Sequence, residues 1–219
     1  MSTTADIATV LARSPVMPVA TLEDAGVAVE YARALLRGGI RCLEVTLRTD
    51  AALAAIEAIA RAEPEMAVGA GTILEPAQLG SAARAGATFA VSPGATAALY
   101  AAHSPIPWLP AIATASELML GLDAGHRCFK FFPAAAAGGP AMLAALYGPF
   151  PLARFCPTGG IAAADAARWL ALPNVLCVGG SWLAPSDALR SRDWPRIETL
   201  ARQSAVLRPQ ATIDPEPRA

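Results

Sequence analysis

One lysine is the residue whose type and setting most directly suggest covalent chemistry. Of the 17 lysine and arginine residues only Lys130 is a lysine, and it stands between Phe129 and Phe131 in an apolar run. A charged amine is costly to bury, so this setting favours the neutral form. A neutral amine can attack a ketone carbon, whereas a guanidinium stays protonated and cannot. Lys130 is therefore a candidate Schiff-base nucleophile. The alternative is a lysine whose head reaches solvent at a strand end.

Glu44 is the second candidate, because it is the only carboxylate in the apolar run 40–47. A buried carboxylate is rarely left unpaired. Two roles remain open from the residues alone: a general acid and base, or a structural ion pair with Arg48. Alternation along a strand places Glu44 on the same face as Cys42, and Lys130 on the same face as Cys128. The small thiols would then fill the layer beneath the reacting groups.

Two glycine-rich turns could bind an anion. Gly159 and Gly160 lie in T-G-G-I, and Gly180 and Ser181 lie in G-G-S-W. Glycines let backbone N–H groups approach a phosphate, and a serine hydroxyl adds a donor. The alternative is that each Gly-Gly pair only makes a tight bend.

These residues follow short β-rich runs that alternate with alanine-rich helical stretches, alanine contributing 52 of the 219 residues. Strand and helix alternation favours parallel strands with helices outside, and eight runs predict a single (β/α)8 TIM barrel. A doubly wound open sheet is the alternative. In a barrel the candidate residues fall at the carboxyl ends of the strands, where active sites lie. The predicted strands are 16–20, 40–46, 66–70, 89–91, 108–112, 128–132, 154–157 and 175–178.

Apolar residues at helical spacing predict the helices between these strands. An extra helix is expected at each end, over 3–12 and 194–206. We therefore expect one barrel domain over residues 1–207 and a loose, proline-rich tail over 208–219. The predicted helices between strands are 24–37, 50–62, 76–85, 96–102, 115–123, 140–147 and 163–171.

The composition excludes several classes of protein. With 54% hydrophobic residues and a net charge of −1, the chain can bury a large core and carries no basic block for nucleic acid or an anionic membrane. The uncharged stretch 131–153 is interrupted by prolines and glycines, which argues against a spanning helix. The amino-terminal sequence lacks a targeting pattern, so we expect a soluble cytoplasmic protein.

Cysteine and histidine spacing does not predict a metal site. The four cysteines form no C-x-x-C pair and are expected to be buried free thiols. His103 and His126 have no partner at ligand spacing. We therefore expect neither a metal nor a cofactor.

Seven sequence blocks, taken together, resemble the 2-keto-3-deoxy-6-phosphogluconate (KDPG) aldolase family, also called 4-hydroxy-2-oxoglutarate (KHG) aldolase. The resemblance runs from about Ala8 to Val206. The blocks occur in the family's order: L-E-V-T-L-R-T (43–49), V-G-A-G-T (68–72), S-P-G (92–94), S-E-L-M-L-G (116–121), F-K-F-F-P-A (129–134), R-F-C-P-T-G-G-I (154–161) and V-G-G-S-W-L (178–183).

The resemblance implies a class I aldolase that cleaves KDPG to pyruvate and glyceraldehyde 3-phosphate. It implies Lys130 as the Schiff-base lysine and Glu44 as the general acid and base. It also implies a metal-independent homotrimer. The remaining roles implied are Arg48 and Thr72 at the pyruvate carboxylate, Pro93 and Phe132 lining the pyruvate pocket, Thr158 bearing on stereochemistry at carbon 4, and Gly159, Gly160, Gly180 and Ser181 at the phosphate.

Some positions depart from the family pattern. Ala135 replaces a common glutamate, and Ala111 and Ala113 replace a more usual glycine and serine. Three other functions stay open: an aldolase favouring the galactonate epimer or unphosphorylated KHG, a phosphate-binding barrel isomerase in which Lys130 only makes an ion pair, and an inactive sugar-phosphate-binding barrel.

Overall fold

The computed structural model describes residues 6–207, and within them parallel strands alternate with helices. Every strand pairing is parallel, as the alternation predicted. The strands are β1 (Val16–Ala20), β2 (Cys42–Thr46), β3 (Ala67–Gly71), β4 (Phe89–Val91), β5 (Trp108–Leu109), β6 (Ala111–Ile112), β7 (Cys128–Phe131), β8 (Arg154–Pro157) and β9 (Val178–Gly180).

Between residues 6 and 207, ten helices connect or flank these strands. Single 3-10 turns precede α2 and α8, so the predicted helices 24–37 and 163–171 are correct in place but start with tighter geometry. The helices are α1 (Ile7–Leu11), α2 (Ala28–Arg37), α3 (Ala52–Ala62), α4 (Pro76–Arg84), α5 (Ala97–Ala101), α6 (Ala115–Asp123), α7 (Gly139–Tyr147), α8 (Ala166–Leu170), α9 (Ser186–Ser191) and α10 (Trp194–Ala205).

The strands form two sheets, ordered β5-β4-β3-β2-β1-β9 and β6-β7-β8. The fifth predicted strand, 108–112, is divided at Pro110, which has no N–H to donate to a ladder. Two single parallel bridges, Phe155 with Val175 and Thr158 with Gly179, link β8 to the chain that carries β9. The two sheets therefore meet at β8 and β9.

Two apolar clusters hold the layers together. The larger lies between the strands and the helices and includes the fully buried Tyr31 and Leu35 of α2. The smaller lies at the amino ends of the strands, where Leu11 of α1 packs with Met17 and Phe89. All four cysteines belong to the smaller cluster and are buried free thiols, as predicted.

Two predictions at the carboxyl end of the chain need correction. The last strand is Val178–Gly180 and not the predicted 175–178. The sequence did not indicate these bounds, because two of the three residues are glycines, which have low β propensity. Helix α9 was not predicted, since six residues are too few for a periodic signal. The tail 208–219 and residues 3–5 of the predicted first helix lie outside the described residues. Within residues 6–207, no helix is both long and apolar enough to cross a membrane.

Candidate active site

Lys130 lies in the middle of β7, and its amine is buried. Its backbone N–H donates to the Pro110 carbonyl oxygen at 2.9 Å, and its neighbours across the strands are Ala111 and Cys156. Because β7 alternates, Lys130 faces inward while Phe129 and Phe131 are fully buried in the outer cluster. Only 6% of the Lys130 side chain is exposed, so the solvent-reaching alternative is wrong.

The Lys130 amine forms a buried ion pair with the Glu44 carboxylate. Nζ donates to Oε1 at 3.0 Å and to Oε2 at 3.2 Å, and only 1% of the Glu44 side chain is exposed. The ion pair joins residues 86 positions apart across the interior. Glu44 thus pairs with Lys130 rather than with Arg48, contrary to the structural alternative for this carboxylate. An amine and a carboxylate in contact can exchange a proton, and that exchange produces a neutral amine.

Phe132 extends the site beyond the end of β7. The Lys130 Nζ lies 5.4 Å from the centre of the Phe132 ring, within the range of a cation–π contact. The ring also faces the first glycine turn, since a side chain at Gly159 would lie 3.2 Å from it. The Phe132 ring therefore lies close to both the Lys130 amine and Gly159.

Backbone contacts hold the segment after β7 against the first glycine turn. The Ala134 N–H donates to the Thr158 carbonyl at 2.8 Å, and the Ala135 N–H donates to the Gly159 carbonyl at 3.0 Å. Gly159 and Gly160 have φ of 101° and 75°, which L side chains rarely adopt. Ala135 lies close to Gly160. The glycines are thus required by the backbone path, whether or not they also bind an anion.

Thr158 and the second glycine turn lie together at the junction of the two sheets. Thr158 is 6% exposed and pairs with Gly179, and a methyl group at Gly179 would overlap the threonine hydroxyl. Gly180 lies against the Trp182 ring, and Ser181 is exposed. The hydroxyl of Ser181 makes no hydrogen bond within the described part of the chain, so it can accept or donate one to a ligand.

Arg48 and Thr72 follow neighbouring strands on the other side of the site. The Leu47 N–H donates to the Gly71 carbonyl at 2.8 Å, which brings the ends of β2 and β3 together. Arg48 is exposed and makes no ion pair with any residue between 6 and 207. Thr72 has a φ of 61°, in the left-handed region that is unfavourable for a β-branched residue. Such strain is a frequent property of functional positions.

Pro93 is supported by two residues that the sequence analysis did not single out. The Trp108 indole N–H donates to the Ser92 hydroxyl at 3.1 Å, and both side chains are buried. The Ile73 N–H donates to the Val91 carbonyl at 3.0 Å, which holds Thr72 near the end of β4. The block S-P-G contains Ser92 and could have pointed to it, but the sequence analysis assigned a role only to its proline.

Burial shifts the pKa of three further groups near the interior towards the uncharged form. Burial raises the pKa of the Cys42 and Cys128 thiols to about 12, so both stay protonated. Burial also lowers the pKa of His126, which packs against Tyr100 and Trp108. Across residues 6–207, no cluster of three histidine, cysteine or acidic side chains could hold a metal ion.

The parallel α/β fold and the buried Lys130–Glu44 pair are together typical of an α/β enzyme. A family model described as "Aldolase: KDPG and KHG aldolase" matches residues 7–200. The chain belongs to this family, as its sequence blocks indicated.

Similar proteins agree with this assignment. The KHG/KDPG aldolase of Escherichia coli K12 is 53% identical over 197 residues, covering 89% of this chain and 92% of the relative. The 2-dehydro-3-deoxy-phosphogluconate aldolase of Dickeya dadantii is 52% identical, covering 90% and 93%. A Legionella pneumophila KDPG aldolase, solved with pyruvate as a covalent carbinolamine intermediate, is 46% identical with a TM-score of 0.90, covering 92% of this chain and 98% of that one.

Proposed function

We propose that this protein is a class I aldolase that cleaves KDPG to pyruvate and glyceraldehyde 3-phosphate through a Schiff base on Lys130, and that it also accepts KHG. The observation that carries the proposal is the buried pair in which Lys130 Nζ lies 3.0 Å from Glu44 Oε1. The names of the E. coli and D. dadantii relatives support the substrate, and the carbinolamine in the L. pneumophila enzyme supports the covalent route.

The reaction begins with a proton transfer from the Lys130 ammonium to Glu44. The neutral amine attacks carbon 2 of the substrate and forms a carbinolamine. Glu44, acting through a water molecule, moves the protons needed to expel hydroxide as water. The product is a protonated imine on Nζ, which can accept an electron pair.

Cleavage uses the same carboxylate as a base. Glu44 removes the proton of the carbon 4 hydroxyl, the bond between carbons 3 and 4 breaks, and its electron pair enters the imine to give an enamine. Glyceraldehyde 3-phosphate leaves. Protonation of the enamine at carbon 3 and hydrolysis of the imine then release pyruvate and restore Lys130.

The residues after β2, β3, β4 and β7 bind the pyruvate half of the substrate. Arg48 makes charge-assisted hydrogen bonds to the carboxylate, and the Thr72 hydroxyl adds another. Pro93 and Phe132 line the space around carbons 2 and 3. This binding fixes the ketone against the amine, and that proximity lowers the barrier.

The glycine turns bind the other half. Thr158 faces carbon 4 and selects its stereochemistry, and Gly159, Gly160, Gly180 and Ser181 bind the phosphate. The left-handed φ of Gly159 and Gly160 and the exposure of Ser181 support this assignment. The substrate then extends from β2 and β3 at its carboxylate to β8 and β9 at its phosphate.

The two sheets form one closed (β/α)8 barrel, in which β5 and β6 are two halves of one strand divided at Pro110. The bridges from Phe155 to Val175 and from Thr158 to Gly179 support closure between β8 and β9. Residues 1–207 constitute one domain. The enzyme acts as a homotrimer in the cytoplasm and needs no metal.

Variants at strand β2 test the roles proposed for its two charged residues. Glu44→Gln should lower kcat for KDPG cleavage by roughly 10²–10⁴-fold, because it removes a general acid and base. Arg48→Ala should mainly raise KM, because it removes the guanidinium that binds the carboxylate of the substrate. Pyruvate release is followed with purified wild-type and variant protein, with EDTA in a parallel series. Equal, modest rises in KM with kcat intact in both variants would contradict the mechanism, as would loss of activity in EDTA.

A further inference from the structure

Strand β3 carries two glycines on its inward face, and neither is required by the backbone. Gly69 and Gly71 alternate with Val68 and Ala70, which face the outer cluster. Seven glycines in the described chain have positive φ, and these two are not among them. An alanine at either position would therefore meet no conformational penalty of its own. A side chain is excluded because other side chains already fill the space that its Cβ would occupy.

At Gly71 that space is occupied by Glu44. The register of β2 and β3 pairs Glu44 with Gly69 and Thr46 with Gly71. The Glu44 side chain extends towards the carboxyl end of β3, so it lies over Gly71 and not over its own partner, Gly69. A methyl group at Gly71 would lie 2.6 Å from the Glu44 Cγ and 2.7 Å from its Cδ, and it would overlap Oε1. Carbon atoms in contact normally stay about 3.5–4.0 Å apart. The carboxylate could not keep its place.

Glu44 also has little room to move elsewhere. Its side chain is 1% exposed, and its hydrogen-bond partner is the Lys130 amine. A displaced carboxylate would leave both charges buried without the geometry that offsets their desolvation.

We infer that Gly71 is a positioning residue: the absence of its side chain creates the slot that holds the Glu44 carboxylate against the Lys130 amine. The inference rests on the proposed function for what Glu44 then does. It assigns a role to the second glycine of V-G-A-G-T, a block in which only Thr72 had been given one.

Gly69 supplies a matched control on the same face of the same strand. An alanine there would also overlap a buried side chain, but that side chain is the Phe89 ring, whose Cδ2 would lie at 2.6 Å. Phe89 belongs to the apolar cluster at the amino ends of the strands and carries no chemistry. The closest overlap of Gly69→Ala thus falls on an apolar ring, whereas the closest overlap of Gly71→Ala falls on the carboxylate.

The kinetic test compares Gly71→Ala with Gly69→Ala in KDPG cleavage. We expect Gly71→Ala to lower kcat by roughly 10²–10⁴-fold, the range for loss of a general acid and base, with KM changed less than threefold. We expect Gly69→Ala to keep kcat within about tenfold of wild type while losing thermal stability. Equal kcat losses in the two variants would overturn the inference. A wild-type enzyme that forms no Schiff base would instead overturn the proposed function.

A stability cycle keeps the inference testable even if Gly71→Ala folds poorly. Adding Glu44→Ala removes the overlapping atoms, so Gly71→Ala should destabilise the Glu44→Ala protein much less than it destabilises wild type. Gly69→Ala should destabilise both backgrounds equally. Denaturation of wild type, the three single variants and the two double variants gives the free energies for this comparison without any activity assay. A Gly71→Ala effect that is the same with and without Glu44 would contradict the slot.

Discussion

Breaking the buried ion pair from either side should destabilise the protein strongly. Glu44→Leu leaves the Lys130 ammonium, in a side chain that is 6% exposed, without its carboxylate, and Lys130→Met leaves the Glu44 carboxylate, 1% exposed, without its amine. Removal of one partner of a buried pair costs about 3–5 kcal/mol. In a domain of this size each kcal/mol shifts Tm by about 2–4 °C. We therefore expect each single variant to lose roughly 6–20 °C.

The double variant Lys130→Met with Glu44→Leu should recover much of that loss, because no uncompensated charge remains and similar volumes fill the space. An exposed pair serves as control: Arg196 and Asp187 are 48% and 63% exposed, and Arg196→Ala should destabilise the protein far less than either variant at the buried pair, because solvent screens an exposed ion pair.

Urea denaturation at neutral pH, followed by circular dichroism, measures the free energies of unfolding of the wild type and these four variants. The reasoning is refuted if the single variants at the buried pair cost no more than the surface variant. It is also refuted if the double variant loses the sum of the two single losses.

Two further predictions concern substrate binding. Ser181→Ala should remove one hydrogen bond to the phosphate, worth about 1.5–3 kcal/mol, so its kcat/KM should fall far more on KDPG than on KHG, which has no phosphate. Equal losses on both substrates would show that the second glycine turn is structural. Thr72→Gly should relieve the strain of a φ of 61°, which costs about 1–3 kcal/mol, while the greater freedom of glycine in the unfolded chain offsets about 0.5–1 kcal/mol of that gain. The KM for KDPG should rise, and a loss of stability greater than about 1 kcal/mol would contradict the strain.

Most of the strand and helix order could be predicted from the sequence, because hydrophobic alternation and glycine or proline breaks are local signals. Strands β1, β4 and β8 have the predicted bounds. The division of the fifth strand was also readable in principle, since Pro110 lacks an N–H. The shift of the last strand to Val178–Gly180 was not readable, because its glycines pair with β1 only when the whole sheet is assembled.

The candidate site, like the fold, could be predicted only in part from the sequence. Lys130 and Glu44 could be singled out from the sequence alone, since each is a charged residue in an apolar run. Their pairing could not, because it depends on two strands that approach each other across the interior rather than along the chain. The role of Gly71 was hidden for the same reason: a glycine gives no sign of which side chain occupies its missing Cβ. Such information exists only in the register of β2 and β3.

Covalent trapping tests the central claim most directly. Borohydride reduces an imine to a stable secondary amine, and because Lys130 is the only lysine, the one other primary amine is the chain's own amino terminus. Wild-type protein incubated with pyruvate and borohydride should gain one pyruvate-derived adduct, and peptide mass mapping should place it on Lys130. Lys130→Arg should lose this adduct. Wild-type protein that gains no adduct, or whose adduct maps only to the amino terminus, would contradict a Schiff base on Lys130.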